Sequence, residues 1–493
     1  MRRWYLSVSG GGFASKLLGV IREALLARYF GTGPVADAFR ASLGATLSPA
    51  HLLTSRIVQS CFIPLYATYR KERPERARSL FLLMLVFYPS LGLLLGFLLF
   101  LFAGPVIHLL LPGFDLDRFA LAVAMLRIMS IGIPFYTYTS LLDSLGVAQE
   151  DFTIPSLRPA VQNVGMLATI ILAASISRPE VIAYGFTGSY ILMSVAATWL
   201  LCRRNEIPHR IPLDSTLVKE TAYALWVLAR PLIFVSLLAE TYVLGERYLA
   251  SLVGGGSIAS IEYARFLTET LHTLLIVPLG LIGLGYFSTL AIQDLQEKTD
   301  RNLARIYIVL IPVSAFFFMN GEIMLRLLYM RGQFDENSLS MTFGALRGLS
   351  LGLWAYSARY FLHRIFNARL MNGIVLRGEA LLFLSSLLVM FLSYKKLGVF
   401  GLGLGTSVGS VLSLFYFSRK VEYEMPLARR CFSVFLPAAV IYIIISWFFG
   451  RFVDAGLRPV LQVLFSMVFW GSVMGANADA RGLVLSWFRM KRR

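Results

Sequence analysis

Charge is scarce in this chain. Only 15% of its 493 residues are Asp, Glu, Lys or Arg, where a soluble globular chain carries about a quarter. Cysteine is scarcer still. Cys61, Cys202 and Cys431 stand far apart, a spacing that excludes a disulfide framework or a thiolate metal cluster and leaves them as small apolar fillers. No G-x-x-x-x-G-K-[ST] sequence occurs, and the run Gly10–Gly12 opens no strand-to-helix phosphate loop. A nucleotide-driven motor and a cofactor-dependent enzyme are therefore not expected. No Ser/His/Asp set or carboxylate pair stands between the apolar segments to suggest a hydrolase. Met1–Tyr5 leads into the first apolar segment with no A-x-A site, so no cleavable leader is expected. The connections are too short for an appended soluble domain.

Hydrocarbon is abundant: 57% of the residues are hydrophobic and the mean hydropathy is +0.68. Stretches 79–104, 306–320, 380–394 and 432–450 are almost uncharged, and as helices they cover most of a bilayer core of about 30 Å. Helices are the expected form, since an open chain in lipid leaves backbone groups unpaired. The expected fold class is an all-α polytopic membrane protein of about 14 transmembrane helices. Spans are placed near 5–30, 36–68, 79–104, 119–147, 153–175, 181–202, 221–251, 257–292, 303–328, 339–367, 373–394, 399–418, 431–450 and 457–487. The basic connection 203–220 then separates an N-lobe of six spans (1–202) from a C-lobe of six (221–420). Two further spans and a basic tail (421–493) complete the chain.

The net charge of +18 is organised by topology, not by nucleic acid. Arg70, Lys71, Arg73, Arg76 and Arg78 crowd one connection, and Arg203, Arg204, Arg210 and Lys219 another. The connections 31–36, 115–118 and 252–256 hold few cations. The positive-inside rule puts both termini in the cytoplasm of a bacterial inner membrane, and the excess charge also suits anionic headgroups.

Against this background the cations inside the spans stand out. Lys16, Arg22, Arg28, Arg56, Arg265 and Arg364 fall within or beside apolar stretches. A charge in hydrocarbon costs several kcal/mol unless it meets water, a counter-ion or an anionic ligand. Together they suggest a polar cavity for an anion. Ser15, Gly19 and Arg22–Glu23 share one face of the first span, with Lys16 at its edge. A structural pairing of Lys16 and Arg22 with Glu23 or Asp37 is the alternative. Arg28, nearer the helix end, can snorkel. Asp37 suits either a gate or simple capping of its own helix. Glu262, Arg265 and Glu269 form one stripe that can neutralise itself. Glu246 is a candidate site for a coupling ion, Na+ or H+, while His272 alone reads as a satisfied polar residue.

These residues fall into a familiar pattern. Ser15-Lys16-Leu17-Leu18-Gly19-Val20-Ile21-Arg22-Glu23, followed by Ala27-Arg28-Tyr29-Phe30-Gly31 and Asp37-Ala38-Phe39, resembles the opening signature of the MviN/MurJ family of lipid II flippases. Phe62-Ile63-Pro64, the Pro155/Pro159/Asn163 stretch, Arg331-Gly332-Gln333-Phe334 and Arg364-Ile365-Phe366-Asn367-Ala368 resemble later family features in the same order. The resemblance implies two six-helix lobes around a central cationic cavity, with two extra helices forming a groove for a polyprenyl tail. It implies export of a polyprenyl-diphosphate-linked saccharide, lipid II, with no cofactor. Lys16, Arg22, Arg56 and Arg265 are the expected substrate-binding residues, and Ser15, Glu23, Asp37 and Arg364 the gate or structural ones. Three departures are visible. Leu53–Ser60 keeps one arginine, Arg56, and no acid. Arg265 stands one residue early, with Phe266 in the expected place. The polar pair of a sodium site is not evident in 380–394. A flippase for another lipid-linked glycan fits these departures too, whereas a drug/cation antiporter would want an acidic cavity.

Overall fold

The computed structural model describes residues 2–57, 61–203, 215–276, 292–369, 371–452 and 457–483. For 2–15, 53, 55–57, 215–218, 229–232, 235, 292 and 450–452 it describes the backbone alone. The expected basic tail 489–493 lies outside these residues, as does most of the connection 203–220. Among the described residues the secondary structure is helical, with no strand. Eight helices are long and apolar enough to cross a membrane. Helices α1 (Arg2–Phe30), α2 (Pro34–Ile57) and α9 (Ser215–Val253) also have the length, but they carry charged residues within it. Those charges build the candidate site.

Packing divides the chain into two units. The first runs to Ala259 and takes in Arg331–Phe334. It contains α1, α2, α3 (Ile63–Glu72), α4 (Pro74–Leu101), α5 (Ala103–Leu110), α6 (Leu116–Ala148), α7 (Thr153–Ser175), α8 (Ile182–Arg203) and α9. Helix α6 packs against α2, α4 and α8. Gly92 and Gly96 let α4 approach it closely, since a Cβ at either would strike Thr137 or the Ser130 carbonyl. The expected span 36–68 covers α2 and the start of α3, and residues 58–60 between them lie outside the described residues. Pro64, which lacks an N–H, stands in the first turn of α3, where it costs no hydrogen bond. Helix α9 packs on α2 and α4, so the division by packing falls later in the chain than the basic connection 203–220.

The second unit holds the rest of α10 (Ser257–Leu275), then α11 (Ile292–Tyr329), α12 (Glu336–Ser350), α13 (Leu353–Ala368), α14 (Asn372–Lys420), α15 (Pro426–Phe452) and α16 (Arg458–Ala476). The expected span 339–367 breaks at Gly352, whose N–H donates to Ser407 Oγ at 2.8 Å. The 49 residues of α14 would make a rod about 74 Å long, over twice the bilayer core. Gly398, at φ +55, breaks it into two spans. Helix α15 is held on α11 by Asp300, which accepts from Leu427 N (3.0 Å) and Ala428 N (2.6 Å). Farther along, Asn320 Nδ2 donates to the buried Tyr442 hydroxyl at 2.7 Å, which also bonds Ser466 of α16 at 2.5 Å. The last two helices thus have a polar inner seam, while Val440, Ile441 and Ile444 keep an apolar outer face.

Candidate functional site

Three helices of the first unit meet at Glu23. It lies on the inner face of α1, 3% exposed, where an unpaired carboxylate would be costly. Two guanidinium groups answer it. Arg22 Nη2 lies 2.8 Å from Oε1, and Arg40 of α2 pairs with Oε2. Arg22 also donates through Nη1 to Asn163 Oδ1 of α7 at 2.9 Å. Two cations on one anion leave a net positive charge, and half-buried Lys16 adds another on the same helix. The members differ in exposure. The Arg22 side chain is 25% exposed, against 9% for Arg40 and 4% for Glu23. Arg22 therefore presents the cluster's accessible charge, while Glu23 and Arg40 hold it in place. Arg40 was not among the residues expected from sequence.

Asp37 is not part of this pairing. Its buried carboxylate accepts from the backbone N–H groups of Gly256 (2.5 Å) and Ala259 (2.8 Å), so it caps α10 instead of its own helix. Arg118 Nε lies 3.6 Å from it and also pairs with Asp115, the cap of α6. The cation-poor connections 31–36, 115–118 and 252–256 thus converge at one end of the first unit. There Gln333 N donates to Arg28 O at 2.8 Å. Gly31, at φ +54, leaves room for Gln333 where any Cβ would overlap its carbonyl. Replacing Asp37 by Ala would leave two buried donors unpaired, at about 1–3 kcal/mol each. Thermal unfolding of the purified protein should show that loss for Asp37→Ala and a smaller one for Asp37→Asn, which keeps an acceptor.

A second polar cluster of this unit was also missed. Arg158 of α7 pairs with Asp143 of α6 and lies over Tyr136 and Tyr190, 5.0 and 5.6 Å from the ring centroids. His51 of α2 approaches Glu240 of α9 at 4.0 Å. Glu246 is buried. Its neighbour Arg247 lays its guanidinium against Gly44 of α2, where a side chain would collide.

In the second unit Arg265 pairs with Glu262 at 3.7 Å, and Arg364 Nε donates to the Tyr360 hydroxyl at 3.0 Å. Glu269 is exposed. His272 bonds Ser357 at 3.0 Å between the rings of Tyr356 and Tyr360. A tight buried pair of this unit, Arg359–Glu379 at 2.6 Å with His363 nearby, was not expected. The side chains of Ser15 and Arg56 lie outside the described residues. No group of three metal-ligating side chains occurs among the described residues.

Long apolar helices carrying buried ion pairs define a multi-pass membrane protein, and comparison with known structures specifies the fold. An inward-facing multidrug resistance MATE family transporter of the MOP superfamily superposes with a TM-score of 0.68 at 14% identity, over 85% of this chain and 95% of that one. A structure described as lipid II flippase MurJ in an inward closed conformation gives a TM-score of 0.82 at 19% identity, over 97% and 99%. The profile of the family described as lipid II flippase MurJ matches residues 26–464. The chain belongs to that family. Its relatives include the probable lipid II flippase MurJ of Aquifex aeolicus, 24% identical over 91% of this chain and 87% of that protein. The lipid II flippase MurJ of Burkholderia cenocepacia is 25% identical, over 71% and 70%.

Proposed function

We propose that this protein moves lipid II, a polyprenyl-diphosphate-linked saccharide, from the inner to the outer leaflet of the bacterial cytoplasmic membrane by alternating access. The carrying observation, beside family membership, is the Glu23 cluster: a partly exposed guanidinium pinned from behind by an acid and an amide. A diphosphate needs compact positive charge shielded from bulk water, and Arg can grip it with two donors. Arg22 is its primary contact in this reading, with Lys16, Arg56 and Arg265 as further contacts. Ser15, Asp37 and Arg364 serve the gates. Glu246 is the place for a coupling ion. The chain crosses the membrane fourteen times with both termini in the cytoplasm, and the prenyl tail stays in lipid along α15 and α16. An inside-negative potential assists outward movement of the anion by about 2.3 kcal/mol per charge per 100 mV.

The test is rescue. Cells depleted of their own lipid II flippase should grow and keep their shape when this chain is expressed. Lysis despite normal amounts of the protein in the membrane would reject lipid II as the cargo.

A further inference from the structure

The first unit carries a groove that the flippase reading does not use. It is a cavity of about 730 Å³ between α4, α6 and α8, lined by Leu85, Pro134, Phe135, Tyr138, Val195 and Trp199 among others. All three helices are long and apolar enough to cross the membrane. The groove lies on the far side of α6 from the Arg158 cluster. Tyr136 and Asp143, which face Arg158, are seven residues apart and share a face, whereas Pro134 and Tyr138 sit about 160° away. The prolines Pro89 and Pro134 interrupt the ladders of α4 and α6 where the cavity opens.

Its lining suits hydrocarbon, not sugar. The hydroxyls there are satisfied within the protein: Tyr138 bonds Thr198 at 2.7 Å, Thr198 bonds the Ser194 carbonyl at 2.7 Å, and Ser194 Oγ lies 3.4 Å from the Phe135 carbonyl. The mouth is different. Exposed Arg203 lies over Trp199 at 5.4 Å. Exposed Arg78 stands on α4 seven residues before Leu85, hence on the same face. Cations beside an aromatic at the end of a span mark the headgroup level.

We propose that this groove binds an anionic phospholipid, one acyl chain lying along Tyr138 and Val195 and the phosphate held by Arg203 and Arg78. The occupant is a resident membrane lipid and not the transported one, because the lining is apolar and its hydroxyls are already bonded within the protein, leaving nothing polar for a saccharide. Binding there steadies helices α4 and α6 beside their internal prolines, and it does not depend on which cargo the protein carries.

Trp199 supplies the readout. The full-length protein and its Trp199→Phe variant are placed in phosphatidylcholine nanodiscs, and their fluorescence difference isolates this residue. Phosphatidylglycerol brominated in its acyl chains should half-quench that signal at a roughly 25-fold lower mole fraction than brominated phosphatidylcholine, as expected for two favourable charge contacts at the headgroup level. Arg203→Gln with Arg78→Gln should merge the two curves. Val195→Phe, which fills the groove and leaves both arginines, should also erase the preference. Coincident curves in the unmodified protein would overturn the proposal, as would a preference that survives either set of substitutions. Stronger quenching by a brominated polyprenyl phosphate than by phosphatidylglycerol would overturn it too.

Discussion

Arg22→Ala is expected to abolish rescue of flippase-depleted cells while the protein still accumulates in the membrane. The expectation follows from how charge is shared around Glu23. Removing Arg22 leaves the buried carboxylate with its Arg40 partner, so the interior stays neutralised and the helices stay packed. What disappears is the partly exposed guanidinium and its bond to Asn163. A hydrogen bond to a charged group contributes about 1.5–3 kcal/mol, or roughly 10- to 150-fold in affinity. Arg22→Lys keeps the charge but loses the two-donor grip, so growth should be partial. Asn163→Ala, which removes one anchor of Arg22 and leaves its pairing with Glu23, should fall between Arg22→Lys and the unmodified protein. The measurements are growth of the depleted strain and the amount of protein in the membrane fraction. Full rescue by Arg22→Ala would remove Arg22 from the site.

The spans were legible where hydropathy alone decides them, and the break at Gly398 falls between the expected spans 373–394 and 399–418. The break at Gly352 was not legible. The apolar pattern runs on through it, although its N–H is given to Ser407. At the site, the composition of α1 singled out Lys16, Arg22 and Glu23. Arg40 was missed, since nothing in its local sequence names a partner 17 residues back on another helix. Only packing of α2 on α1 turns it toward Glu23. The true partners of Asp37 are backbone amides 219 and 222 residues away, and backbone donors carry no side-chain signature. Arg158 left a trace, lying between Pro155 and Pro159 in a stretch already noted for Asn163. The two side chains serve different neighbours because five residues turn the helix by about 140° from one face to another.

Glu23→Ala should be the most destabilising single change in the cluster, and its effect should be on stability before it is on transport. The substitution leaves Arg22 and Arg40 facing each other with no anion between them, Arg40 being almost inaccessible to water. Breaking a buried ion pair by removing one partner costs about 3–5 kcal/mol, because the surviving charge loses its counter-ion in a site shielded from water. Glu23→Gln should be milder, since its amide oxygen still accepts from one guanidinium. The decisive variant is the double one. Glu23→Ala combined with Arg40→Met removes the acid and the deeply buried cation together, and unfolding of the purified proteins should show much of the lost stability returning. Arg22 remains, partly exposed and bonded to Asn163, so the double variant should also retain more rescue than Glu23→Ala alone. If Glu23→Ala unfolds at the same temperature as the unmodified protein, Glu23 is not the keystone of the cluster. If the double variant is no better than the single one, the loss lies in packing and not in the stranded charge.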